Sequence, residues 1–234
     1  MTDPRDVFVS RVVSGRSFVD VGGLWNTVAE KVSVAHAAGA TRVAMFDVTP
    51  ADSELWPRFR RRLDELGVPA CDCEVGDVAS YRGQGHDVVH CAGVLYHHPN
   101  PLEILAGLRR MTRGHLVLTS CITRTRIANA AGELTVPEAG VLFIPALTPA
   151  ERRVLAAYWS EFGVQAEGVT HPCTYRLSRL DAAEMGPWWF LPTAQALRSM
   201  VRVCGFEIVD EASWWNDNAC TILCRPDDGG LGVA

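Results

Sequence analysis

"VDVGGLWN", residues 19–26, decides the fold. The apolar run that begins at Ser17 stops at Gly22 and Gly23, as a buried strand stops at a tight turn. Downstream, "NTVAEKVSVAHAAG" has a helix pattern, with Asn26 or Thr27 as N-cap and Gly39 as C-cap. Strand and helix signals then alternate. "RVAMFDV" is a strand, and "DSELWPRFRRRLDELG" is an amphipathic helix capped by Asp52, with Leu55, Phe59, Leu63 and Leu66 on one stripe. "PACDCEVGD" and "HDVVHCAGVLY" are strands. "PLEILAGLRRMTRG" is a helix with Pro near its start and Gly past its end, and "HLVLTSC" is a fifth strand. This alternation predicts an α/β fold with a parallel sheet covered by helices on right-handed crossovers.

The rhythm breaks over residues 122–187, which hold Pro137, Pro145, Pro149, Pro172 and Pro187. One helix is clear there, "TPAERRVLAAYWSEFG", opened by a Thr148–Glu151 capping box. The segment reads as an insertion after the fifth strand, a lid over the ligand face. Regularity returns with the helix "TAQALRSMVRVCG" and two strands, "FEIVDEASWW" and "NACTILCRP", which close the sheet as an antiparallel pair. The whole chain, 1–234, is expected to form one domain.

The bulk numbers narrow the class. In 234 residues, 48% are hydrophobic and 21% charged, the balance of a globular domain able to bury its own core. No apolar run reaches the length that spans a bilayer. "MTDPRDVFVS" lacks the basic-then-apolar order of a secretory signal. Eight cysteines are scattered, several within apolar runs, which fits free thiols in a reducing cytoplasm. The net charge of −5 argues against nucleic acid as partner. The arginines at 58 and 60–62 fall opposite the apolar stripe of their helix and read as a solvated face. Neither Cys71-x-Cys73 nor Cys220-x-x-x-Cys224 has a second pair at zinc spacing, so no metal is expected.

In a doubly wound sheet, ligands bind beyond the carboxyl ends of the strands. Asp20, Gly22 and Gly23 end the first strand, and glycine there lets the backbone turn and approach a ligand. Asp47 ends the second strand, where an acid accepts from two ribose hydroxyls. Asp77 follows the third, within reach of an adenine amino group. Three acids at three consecutive strand ends suit a cationic or neutral adenosine ligand and repel a pyrophosphate. A G-x-G-x-x-G dinucleotide pattern is absent, since Leu24 and Asn26 replace the further glycines.

On these residues, the region from about 17 to 121 resembles the class I S-adenosylmethionine-dependent methyltransferases. "VDVGGLWN" resembles their first motif, with Asp20 and Gly22 matching and Leu24 and Asn26 departing. Asp47 matches the ribose-binding acid, and "GDV" the adenine-contacting motif. "HDVVHCAGVLYHHPNPLEIL" and "WWFLPTAQALRSMVRVCGF" resemble a subgroup that includes the tRNA wobble-uridine carboxymethyltransferases. The resemblance implies a Rossmann-like fold and S-adenosylmethionine as cofactor. It implies cofactor contacts from Asp20, Gly22, Gly23, Asn26, Asp47, Asp77, Val78, Cys91, Ala92 and Tyr96.

Methyl transfer is a displacement at a sulfonium carbon, helped for a hydroxyl acceptor by a base that takes the proton. His97, just past the fourth strand, and His171 in the insertion are the candidate catalytic residues; packing or capping is the alternative role for His97. Trp188, Trp189, Phe190, Trp214 and Trp215 line an acceptor pocket or fill the core. The expected function is O-methylation of a small molecule, a sugar or secondary metabolite. A tRNA-modifying enzyme and an inactive cofactor-binding relative are the alternatives. The expected partner is a small-molecule acceptor, without membrane and with a homodimer left open.

Overall fold

The computed structural model describes residues 2–25, 29–175, 186–227 and 229. The first half runs α1 (Pro4–Val12), β1 (Ser17–Val21), α2 (Val32–Ala37), β2 (Arg42–Asp47), α3 (Leu55–Glu65), β3 (Asp72–Val75), β4 (His86–Ala92), α4 (Pro101–Met111) and β5 (Thr112–Cys121). The insertion contributes β6 (Arg126–Asn129), β7 (Gly132–Thr135), β8 (Val141–Phe143) and α5 (Pro149–Ser160). The chain closes with β9 (Phe190–Pro192), α6 (Ala194–Val203), β10 (Phe206–Trp214) and β11 (Ala219–Pro226).

Seven strands form one sheet in the order β10-β11-β5-β4-β1-β2-β3. β1 to β5 run parallel, and β11 is antiparallel to both β5 and β10. The doubly wound sheet and its antiparallel closing pair are therefore as the sequence predicts. Helices cover both faces, so the central strands are apolar on both sides. Val19, Val21, Val89, Cys91, Leu116 and Leu118 pack with α4 and α6. Phe18, Val43, Met45, Val88 and Val117 pack with α1, α2 and α3. Buried polar side chains interrupt that second face near the carboxyl ends, among them Asp20, Asp47, His90, Thr119 and Thr221. Asp20 stands beside His90 in the β1–β4 register, and Thr119 beside Thr221 in the β5–β11 register.

Several boundaries differ from the sequence reading. α2 begins at Val32, not at residue 26; Asn26 and Thr27, its expected caps, lie outside the described residues. The backbone before α2 is bonded to the end of β1 instead: Lys31 N donates to Asp20 Oδ2 at 2.8 Å. Buried Glu30 then accepts from Ser33 N at 2.9 Å and serves the helix start. Asp52 does not cap α3; Ser53 Oγ accepts from Leu55 N at 3.3 Å. α4 stops at Met111 and runs directly into β5, placing Gly114 inside the strand, where a Cβ would lie 2.6 Å from Asp87 O.

α1 is absent from the sequence reading, although Asp3 followed by Pro4 is a helix-start signal. Asp3 accepts from Arg5 N at 2.9 Å, and Lys31 Nζ pairs with Asp3 at 3.0 Å and Asp6 at 2.6 Å. These contacts pin α1 to the chain leading into α2. Within the insertion, β6 and β7 form a hairpin, β8 pairs with β9, and α5 carries the expected Thr148–Glu151 capping box. Its own core gathers Ile127, Ile144, Leu155, Trp159, Trp188 and Leu191. Among the described residues no helix is long and apolar enough to cross a membrane.

Candidate active site

A cavity of about 1210 Å³ lies at the carboxyl ends of the parallel strands. Gly22 and Gly23 form part of its wall, and both need to be glycine. Gly22 has φ +74°, and a Cβ there would meet Val94 Cγ2 at 2.3 Å. A Cβ on Gly23 would meet Asp20 Oδ2 at 2.4 Å. The next residue anchors the turn: Leu24 is fully buried in the core under α1 and α3, and its N donates to Asp47 Oδ2 at 3.2 Å. Trp25 is 43% exposed and lines the cavity. Asn26 lies outside the described residues.

Of the residues expected to contact the cofactor, Asp47, Asp77, Val78, Ala92 and Tyr96 line the cavity. Asp47 is buried and mostly engaged by the protein. Its Oδ1 accepts from Thr49 N at 2.9 Å and Thr49 Oγ1 at 2.7 Å. With the Leu24 bond, three of about four acceptor positions are used. Asp77 Oδ1 accepts from Ala79 N at 2.9 Å and caps the short 3-10 turn of Val78–Ser80. Cys91 does not line the cavity. Its side chain alternates to the opposite face, among the residues under α4, where burial pushes its thiol well up.

His97 lines the cavity beside Tyr96 and Trp188. Its Nδ1 is 2.5 Å from Gly186 O, so that nitrogen carries the hydrogen. Burial pulls the ring down to about 4, against weaker support from the Gly186 and Pro187 backbone, and holds it neutral at pH 7. Burial also lifts the Tyr96 phenol well above its usual value, so it stays protonated. His171 is exposed, with Nδ1 3.0 Å from Thr170 Oγ1, and is not among the lining residues. Its neighbours Pro172, Cys173 and Thr174 turn to the cavity instead. The insertion also contributes Glu167, Gly186 and Pro187 to the wall.

Of the aromatic set, Trp189, Trp214 and Trp215 line the cavity. Trp188 packs against Trp159 in the insertion core, and Phe190 stacks on Phe143, centroids 5.1 Å apart. The Arg5 guanidinium lies 4.9 Å over the Trp214 ring and brings α1 to the cavity wall.

The sequence reading missed His90. It lines the cavity at 2% exposure, with Nδ1 2.7 Å from Asp20 Oδ1. Among the described residues its Nε2 has no hydrogen-bond partner. An unmade bond on a buried polar group costs about 1–3 kcal/mol. The available signal was a histidine in the middle of an apolar strand, on the same alternation as Val88. The lining carries Asp20, Asp47, Asp77 and Glu167 against Arg5, which favours a ligand with positive charge.

No family model matches the chain, and no curated protein matches it in sequence. Solved structures do match. The magnesium protoporphyrin IX methyltransferase of Synechocystis, with S-adenosylhomocysteine bound, is 15% identical with a TM-score of 0.58, covering 96% of this chain and 82% of that one. The mitomycin 7-O-methyltransferase is 13% identical with a TM-score of 0.57; the match covers 95% of this chain and 53% of that one, about half its length. A [4+2]-cyclase is 14% identical with a TM-score of 0.58, covering 97% and 80%. At these identities the likeness concerns the backbone: the chain has the α/β fold of the class I S-adenosylmethionine-dependent methyltransferases.

Proposed function

We propose that the protein is an S-adenosylmethionine-dependent methyltransferase that methylates a hydroxyl of a small molecule. The observation that carries this reading is the convergence of three strand-end turns on one cavity: Gly22–Gly23, Asp47 and Gly76–Val78. The cyclase has the same fold, so the fold alone does not assign methyl transfer. The site chemistry supports it. The glycine turn leaves a cradle that a Cβ would fill. Asp47 keeps one acceptor position for a ribose hydroxyl. Gly76 and Asp77 line the cavity and would be the residues to hold the adenine, and the acid excess suits a sulfonium. When bound, S-adenosylmethionine supplies an electrophilic methyl group. The neighbours named for protoporphyrin and mitomycin methylation support a small-molecule acceptor.

In the same reading, residues 122–187 are the lid, supported by Glu167, Cys173 and Pro172 in the cavity wall. The eight free cysteines support a reducing, cytoplasmic setting. Calorimetric titration of S-adenosylhomocysteine tests the proposal. Wild type should bind with a Kd of about micromolar, and Asp47→Ala at least about tenfold more weakly. No binding to wild type overturns it and favours the inactive relative. The tRNA-modifying alternative rests on "GVLYHHPNP" and "WWFLPTAQAL". A gel shift of bulk tRNA at moderate salt would support it, and no shift would remove it.

A further inference from the structure

We propose that His90, oriented by Asp20, receives the hydroxyl proton of an aromatic hydroxyl compound bound beside β4 and β5. This deepens the methyltransferase reading and rests on it. Strand order divides the cavity. Asp47 and Asp77 follow β2 and β3 on one side of β1. On the other side, β4, β5 and β10 bring His90, Thr119 and Trp214 to the wall, and Tyr96 and Trp189 join them. If the acids hold the adenosine, the aromatic side is left for the acceptor. Indole and phenol faces suit a flat ring.

His90 is the histidine there that is built to take a proton. The Asp20 carboxylate accepts from Nδ1 at 2.7 Å, so in the neutral ring the lone pair lies on Nε2. That nitrogen is buried and has no partner among the described residues, although the residue lines the cavity. An imidazolium formed at His90 would face a carboxylate, whereas one at His97 would face the Gly186 carbonyl. The pairing of a base with an orienting acid is the arrangement that general-base catalysis uses. In the proposed step the acceptor oxygen forms the bond to the methyl carbon. The electron pair of the broken C–S bond stays on sulfur, which becomes a neutral thioether. The hydroxyl proton passes to His90 Nε2 and is released to solvent as the product leaves.

The test is nitrogen-15 NMR of protein labelled in its histidine rings, with phenol as the acceptor probe and S-adenosylhomocysteine in the cofactor site. His90 signals are assigned with His90→Gln, or by elimination against variants of the other histidines if that variant does not fold. The expected result is a hydrogen on Nδ1, a lone pair on Nε2, and a phenol-dependent shift of Nε2 at His90 but not at His97. Phenol affinity should fall about tenfold in His90→Gln. The proposal is overturned if Nε2 carries the hydrogen at neutral pH, if phenol shifts His97 instead, or if phenol at its solubility limit shifts neither. Failure of S-adenosylhomocysteine to bind wild type is a separate result and removes the methyltransferase reading itself. The phenol titration without it still reports on His90.

Discussion

Two histidines line one cavity and are held in different ways. His90 sits within β4, on the face covered by α1, α2 and α3, and leans on the Asp20 carboxylate. His97 ends the short turn after β4 and leans on a backbone carbonyl at the edge of the insertion. Both rings are largely buried, and both have Nδ1 in one strong hydrogen bond. The difference lies in the partner. His90 has a carboxylate behind it; the Gly186 and Pro187 backbone behind His97 does not offset the desolvation of a positive ring, and His97 is held neutral.

The strongest blow to this contrast is Asp20→Ala. Removing the Asp20 carboxylate leaves His90 and Lys31 N without their acceptor, at about 1–3 kcal/mol for each. Urea denaturation reads this directly; a loss below about 1 kcal/mol would mean the pair carries no special weight.

The next effect belongs to His97 alone. Its folded value, about 4, lies below the ordinary imidazole value of 6.5, so the unfolded chain binds the proton more tightly. The stabilisation is complete above pH 6.5 and is lost as pH falls from 6.5 towards 4, by about 3 kcal/mol in all. His97→Gln should flatten that limb of the stability–pH curve. An unchanged limb would place the titration elsewhere.

Gly22→Ala should act on the His97 side. The added Cβ would press on Val94, whose carbonyl accepts from His97 N at 3.1 Å. The left-handed backbone alone costs about 1–2 kcal/mol, and binding of S-adenosylhomocysteine should fall with it. If thermal unfolding and binding are both unaffected, the turn is looser than its geometry indicates. The smallest effect is expected at exposed His171. His171→Ala should stay within about 0.5 kcal/mol of wild type by the same urea assay, and a larger loss would give that loop a structural role.

Much of the frame was legible because it follows local rules. Strands β1, β2, β4 and β5 read as apolar runs ended by turn residues, and Gly22, Asp47 and Asp77 fall at strand ends that any parallel sheet turns toward its ligand. The Thr148–Glu151 box announced α5 within four residues of chain. Cys91 and Ala92 show where a local rule was applied too loosely, since alternation alone sends neighbouring side chains to opposite faces. α1 was missed although Asp3 and Pro4 marked its start.

The sequence by itself determined the alternation, the glycine turn and the acids at the strand ends, because these depend on neighbours a few residues away. Only the tertiary structure decided which histidine meets a carboxylate. Asp20 and His90 are 70 positions apart and touch because β1 and β4 become adjacent in the sheet and place them in register. Likewise His171 faces solvent while its neighbours Pro172 and Cys173 face the cavity, a choice made by the packing of the insertion rather than by residue type. Strand order and loop packing are global properties of the folded chain, and the chemistry of the acceptor side depends on them.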